Sequence, residues 1–97
     1  MGKKESEFQS KLIKKIEQRL PGSIAFKVES YVQGFPDIFV VHGKHWAALE
    51  CKKEKDARKQ PNQAYYVEKF DKMSFSRFIS PENEEEVLDE LQRSFES

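Results

Sequence analysis

Two carboxylates and an ammonium stand at the ends of two apolar runs in this sequence. The stretch "GFPDIFVVHGKHWAALECKK" covers residues 34–53. Asp37 opens the run "DIFVV", and Glu50 and Lys52 close the run that begins at Trp46. The turn "HGKH" between them reads as a two-residue β-hairpin loop at Gly43-Lys44, which would pair His42 with His45. In that antiparallel register Asp37 falls opposite Glu50. Like charges directly opposite each other are destabilising, so the fold alone gives no reason to keep them there. A hard divalent cation such as Mg²⁺ does, since it takes one or two carboxylates together with waters and phosphate oxygens. Glu50 and Lys52 are two residues apart and so share a strand face, while Cys51 points the other way. Lys52 would then stand beside the cation, where an ammonium steadies developing negative charge. The plainer alternative is an ion-paired strand end.

The elements that must hold these residues can be read in order. "ESEFQSKLIKKIEQRL" is helical, with Phe8, Leu12, Ile13, Ile16 and Leu20 at three- and four-residue steps, and Pro21-Gly22 stops it. "SIAFKVESYV" alternates at Ile24, Phe26 and Val28 as a strand does. "QGFP" is a turn, and Pro36 suits a strand entrance because it cannot donate to a ladder. "DIFVVH" and "HWAALECK" are apolar enough to be central strands. "KKEKDARKQP" is a charged loop, and "NQAYYVEKFDKM" is a helix begun by Asn62 after Pro61. "SFSRFIS" is a short strand. "SPENEEEVLDELQRSFES" is a helix capped by Ser80 or Asn83, acidic in its first turn, with Val87, Leu88, Leu91 and Phe95 as its apolar face. The order is α-β-β-β-α-β-α, an α/β layer sandwich with helices flanking the sheet, and residues 1–97 are expected to make one domain.

Composition narrows the class. A single cysteine, Cys51, excludes an intrachain disulfide and suits a reducing compartment. No run nears the roughly 20 apolar residues of a membrane span, and the opening "MGKKESEFQ" has no apolar signal core. A cytoplasmic location is expected. Basic and acidic residues both number 17, but residues 82–97 hold seven acids and one base, which leaves +6 on the first 81 residues. Such a body can hold a phosphate backbone, although two ordinary solvated faces explain the pattern as well. No Cys/His spacing suggests zinc, and there is no glycine-rich phosphate loop.

The first helix adds a fourth candidate. Glu5 shares a face with Phe8, Gln9, Leu12 and Ile16, so it lies on the edge that packs on the sheet, whereas Glu7 aligns with Lys11, Lys14 and Gln18 on a solvated face. Glu5 rather than Glu7 is therefore placed to reach a metal, unless it only complements the helix dipole.

"PD" at 36–37 followed by "ECK" at 50–52 matches the PD-(D/E)XK nuclease signature. The stretches "EFQSKLIKKI", "QGFPDIFVV", "WAALECKK", "QPNQAYYVEKF" and "PENEEEVLDELQ" more closely resemble the small stand-alone VRR-NUC domains, virus-type replication and repair nucleases common in bacterial viruses. The resemblance covers nearly the whole chain. It implies a restriction-endonuclease-like core with a mixed central sheet, in a bacterial or virus-infected bacterial cell. It implies a Mg²⁺ (or Mn²⁺) site made by Glu5, Asp37, Glu50 and the main-chain carbonyl of Cys51, with Lys52 and Gln63 as the remaining catalytic residues. Val or Leu is commoner where this chain has Cys51. The activity implied is a metal-dependent DNA endonuclease selective for junctions, flaps or branches, since the chain has no separate element to read base sequence in a groove. Stand-alone relatives suggest a homodimer, with a helicase or replication protein as a candidate partner. Three rival readings remain: a nucleic-acid-binding module that does not cut, a nuclease subunit that needs a partner, and a flap-type repair nuclease.

Other residues fit less directly. Gln63 lies in the first turn of its helix, where phosphate is favoured, and Gln60 falls in the loop before it. Lys53, Lys55, Arg58 and Lys59 are candidate phosphate contacts in a charged loop. Tyr65 and Tyr66 read as packing residues before base-stacking platforms, and Lys27 and Tyr31 lie upstream of the PD turn. His42 and His45 flank the distal turn. For a dimer patch, the sequence offers the last helix near Phe95 and the strand with Phe75 and Phe78, unless those rings only fill the core.

Overall fold

Helix α1 (Lys3–Arg19) presents Gln9, Leu12 and Ile16 to the interior, the stripe expected of a helix that lies on a sheet, and Leu20 just past its end is buried too. The computed structural model describes residues 3–54 and 57–96, with residues 3–5 as backbone alone. After α1 come β1 (Ile24–Lys27), β2 (Ile38–His42), β3 (His45–Cys51), α2 (Pro61–Met73), β4 (Phe75–Ile79) and α3 (Glu84–Glu96). This is the α-β-β-β-α-β-α order that the sequence implies.

The four strands form one sheet in the order β1-β2-β3-β4. β1, β2 and β3 are an antiparallel meander, and β4 joins β3 in parallel. A parallel neighbour needs a crossover, which α2 supplies. The β2–β3 register pairs His42 with His45 and Ile38 with Leu49, as the hairpin arithmetic requires. Gly43 takes a left-handed φ of 62° in the turn.

Helices cover both faces. Ala25, Ile38, Val40, Ala47, Leu49, Phe75 and Ile79 pack with Leu12 and Ile16 of α1 and with Val87, Leu88, Leu91 and Phe95 of α3. The opposite face carries Phe39 and Trp46, stacked at 5.4 Å, with Phe70 of α2 against Trp46 at 5.8 Å. Phe35, ahead of β2, joins this group through Tyr66 at 5.7 Å and Phe70 at 5.3 Å. The acidic last helix is matched to the basic first one: Lys15 pairs with Glu84, and Arg19 with Glu85 and Asp89. Each partly exposed pair contributes at most about 1 kcal/mol, so the core dominates.

Both outer strands have main-chain groups occupied by side chains. The Ala25 N–H donates to Glu17 at 3.3 Å. The Ser76 N–H donates to Asp71 at 3.2 Å, and the Ser76 carbonyl accepts from Arg77 at 2.8 Å.

Three expectations change. In β1 the inward residue is Ala25, 8 % exposed, while Ile24 and Phe26 are 59 % and 46 % exposed. The small side chain fits beneath α1, and Phe26 leans on Phe39 at 6.0 Å on the other face. Helix α2 begins at Pro61 rather than Asn62, with Gln60 as N-cap. Proline suits that first position because its missing N–H has no intrahelical partner to lose. Phe75 and Phe95 are buried within the chain, so neither ring is offered to a second copy.

Candidate active site

Asp37 follows buried Pro36 at the mouth of β2. The Val28 N–H donates to the Asp37 carbonyl at 2.8 Å, which extends the β1–β2 ladder by one residue and pins the backbone at the carboxylate. One further step of the β2–β3 register sets Asp37 opposite Glu50. The side chain of Asp37 is held across the gap, because its Oδ2 accepts the Cys51 N–H at 2.9 Å. Glu50 itself is 3 % exposed. Placing a carboxylate that deep is costly unless something charged or strongly polar meets it.

Gln63 is part of what meets it. Its Nε2 donates to Glu50 Oε2 at 2.6 Å. Its Oε1 accepts from Lys52 Nζ at 2.5 Å and from the Gln60 N–H at 3.0 Å. These partners decide which way the amide points: reversing it would set NH₂ against an ammonium and an N–H, and oxygen against a carboxylate. Lys52 Nζ also donates to the Arg58 carbonyl at 3.2 Å. Gln63 therefore ties Lys52 to Glu50, contacts that its place in the first turn of the helix does not reveal. The helix in turn is placed by the PD loop. Gly34 has φ +85°, and a Cβ there would stand 2.5 Å from Asn62 Cβ and 2.9 Å from the Gln63 nitrogen. The loop and the first turn of α2 are in backbone contact, which only glycine allows.

The donor set suits a hard cation. Two carboxylates on adjacent strands supply oxygen. The Cys51 thiol is buried in the core, and His42 and His45 sit at the far end of the hairpin against Phe95. Among the described residues no three of His, Cys, Asp and Glu gather in one place. The side chain of Glu5, the proposed third acid, lies outside the described residues.

No family model and no curated protein matches this sequence. Solved structures do. A "VRR_NUC domain" structure superposes with a TM-score of 0.72 over 91% of this chain and 97% of its own, at 21% identity. The chain has the fold of a VRR_NUC domain. Hjc of Archaeoglobus fulgidus, a Holliday junction resolvase from an archaeal hyperthermophile, matches at a TM-score of 0.54, covering 77% of this chain and 67% of Hjc at 19% identity. The core is restriction-endonuclease-like.

On this VRR_NUC-like fold the remaining candidates separate. Glu7 is exposed on α1. Lys53, Arg58 and Lys59 are exposed beyond β3, and Lys55 lies outside the described residues. Tyr65 is exposed and Tyr66 packs with Phe35 and Phe70. Tyr31 is fully exposed at the β1–β2 loop, and Lys27 donates to Ser6 Oγ at 3.3 Å. Three residues beside the site escape sequence reasoning. Gly34 has its signal in "QGFP", where glycine next to a proline turn hints at a close approach. Gln9 is a buried polar residue on the inner face of α1, and it lines a cleft with Asp37, Lys27 and Glu29. Phe78 pairs with Glu50 across β3 and β4, which no local pattern reveals.

Proposed function

We propose that this protein is a divalent-metal-dependent nuclease of the PD-(D/E)XK type that cuts branched DNA, four-way junctions among them. The observation that carries the reading is the Asp37–Glu50 pair, like charges on adjacent strands, with Lys52 fixed beside them through Gln63. The residues that would hold Mg²⁺ or Mn²⁺ are Asp37 and Glu50, and the resemblance adds Glu5 and the Cys51 carbonyl. When bound, the cation supplies Lewis acidity toward the phosphate and the attacking water. The chain's own residues do the rest. The Cys51 N–H keeps the Asp37 carboxylate turned toward Glu50. Gln63 holds Lys52 at the edge of the pair, where its ammonium offsets the charge that builds on the phosphoryl oxygens during in-line displacement.

Branched DNA is favoured because a resolvase is among the chain's structural neighbours, and every helix among the described residues packs on the sheet, where none is set apart to read base edges. Cutting both strands of a junction calls for two sites, so a two-fold dimer is part of the proposal. A panel of linear, nicked, flap and four-way DNA, with Mg²⁺ or Mn²⁺, tests the reading. Metal-dependent cutting of the branched members, lost in Asp37→Asn, is expected. Binding without cutting would favour a non-cleaving module. Cutting only after a partner is added would favour a subunit, and cutting of flaps alone a flap-type repair nuclease.

A further inference from the structure

Asp37, Glu50 and Phe78 form one row across β2, β3 and β4, on the face that α2 covers. Two lysines converge on the Phe78 ring at the end of that row. Lys59 Nζ lies 4.5 Å from its centroid and Lys52 Nζ 5.8 Å. One lysine follows the end of β3 and the other comes just before the α2 N-cap, while the ring belongs to β4, so the fold brings the three together. Ammonium groups over one ring gain from its negative face but repel each other. Among the described residues neither has a carboxylate at ion-pair distance. The acids lining the adjoining groove are already engaged, Asp71 by Arg77 and Glu68 by Lys72. Among the described residues two ammonium groups thus meet at one ring, one strand away from Glu50.

We infer that Lys59, steadied by Phe78, forms a second phosphate subsite, which takes a backbone phosphate flanking the one that is cut. The inference deepens the nuclease reading and rests on it. Such a subsite holds the backbone and ignores the bases, so it contributes affinity and register without sequence preference. Phe78 acts as a platform: it limits where the Lys59 ammonium can go and sets it in line with the Asp37–Glu50 pair.

The test is the salt dependence of binding to four-way DNA without divalent metal, so that nothing is cut. Losing one phosphate contact lowers the slope of log K against log salt by about 0.9 on duplex DNA, or about 0.7 on single strands. Between about 50 mM and about 200 mM salt, wild type should therefore lose about threefold more affinity than Lys59→Gln. Lys59→Arg keeps both the charge and the ring contact and should keep the slope. Phe78→Leu keeps every charge yet should lose part of the slope, a result that a purely structural Phe78 would not give. An unchanged slope in Lys59→Gln, in a protein that cuts branched DNA with metal, overturns the subsite alone. A full slope in Phe78→Leu overturns the platform. Wild type that neither binds nor cuts any DNA overturns the subsite and the nuclease reading together.

Discussion

Gly34→Ala tests the coupling between the PD loop and α2. A Cβ at Gly34 would meet Asn62 Cβ at 2.5 Å and the Asn62 carbonyl carbon at 2.7 Å, both fixed parts of a helix turn. Ordinary contact begins near 3.4 Å, so loop and helix must part by about 1 Å. The left-handed backbone at φ +85° adds about 1–2 kcal/mol for any side chain, and overpacking about 1–3 kcal/mol more. The sum, about 2–5 kcal/mol, is a large share of the roughly 5–15 kcal/mol that holds a small protein together. At about 4–8 °C per kcal/mol, the melting temperature should fall by at least about 8 °C. Activity should fall further than stability explains. A displacement of about 1 Å at Gln63 unseats Lys52, and misplacement of that size can cost about 100-fold in rate. The assay is cleavage of branched DNA at saturating metal, at a temperature where urea titration shows the variant folded. Gly43→Ala is the control: its φ of 62° carries the backbone penalty, but its Cβ would meet nothing within 4 Å, so it should lose stability and keep activity. Wild-type cleavage and a urea midpoint equal to wild type in Gly34→Ala would refute the coupling.

Asp37→Asn and Glu50→Gln keep oxygens for the Cys51 and Gln63 donors and remove repulsion, so each should melt at or above the wild-type temperature without metal while losing cleavage. Metal added at about 100 times its Kd should stabilise wild type by about 2.7 kcal/mol and neither variant, measured by urea titration. Lys52→Ala should bind DNA nearly as wild type and cut about 100- to 1,000-fold more slowly in single-turnover assays, the range for loss of one charge-stabilising donor. Phe95→Ala should destabilise by about 3–5 kcal/mol as a core truncation, with no change in the mass that light scattering reports at micromolar concentration.

Much of this was legible because hairpin arithmetic is rigid. Once Gly43-Lys44 is taken as the turn, the facing of Asp37 and Glu50 follows. The stripe of α1 was equally readable, since Leu12, Ile16 and Leu20 have one consistent period. Alternation alone misplaces the inner face of β1, because it shows which residues share a face and not which face is covered. Ile24 and Phe26 are larger than Ala25, yet α1 lies over Ala25. The family resemblance and the place of Gln63 in the first turn of a helix both single it out, but neither reveals what it touches. Its actual partners, Glu50 and Lys52, lie more than ten residues away in sequence, and no period links them. The lysine pair on Phe78 is hidden for the same reason: a parallel strand's register is set only by the crossover.

The side-chain bonds to the main chain of the two outer strands have a consequence for assembly. A bare sheet edge is a template on which another chain can add a strand, the route by which β proteins aggregate or swap segments. Here Glu17 occupies the outward N–H of β1 at Ala25, and Asp71 and Arg77 occupy both main-chain groups of Ser76 in β4. β1 is also only four residues long. At Ala25 and at Ser76 an incoming strand would have to displace a carboxylate to gain a bond. A pair of copies that met through faces, helices or loops instead would leave each sheet separate. The Asp37–Glu50 centres of a pair would then sit in two separate sheets, free to differ in spacing and angle without breaking a ladder.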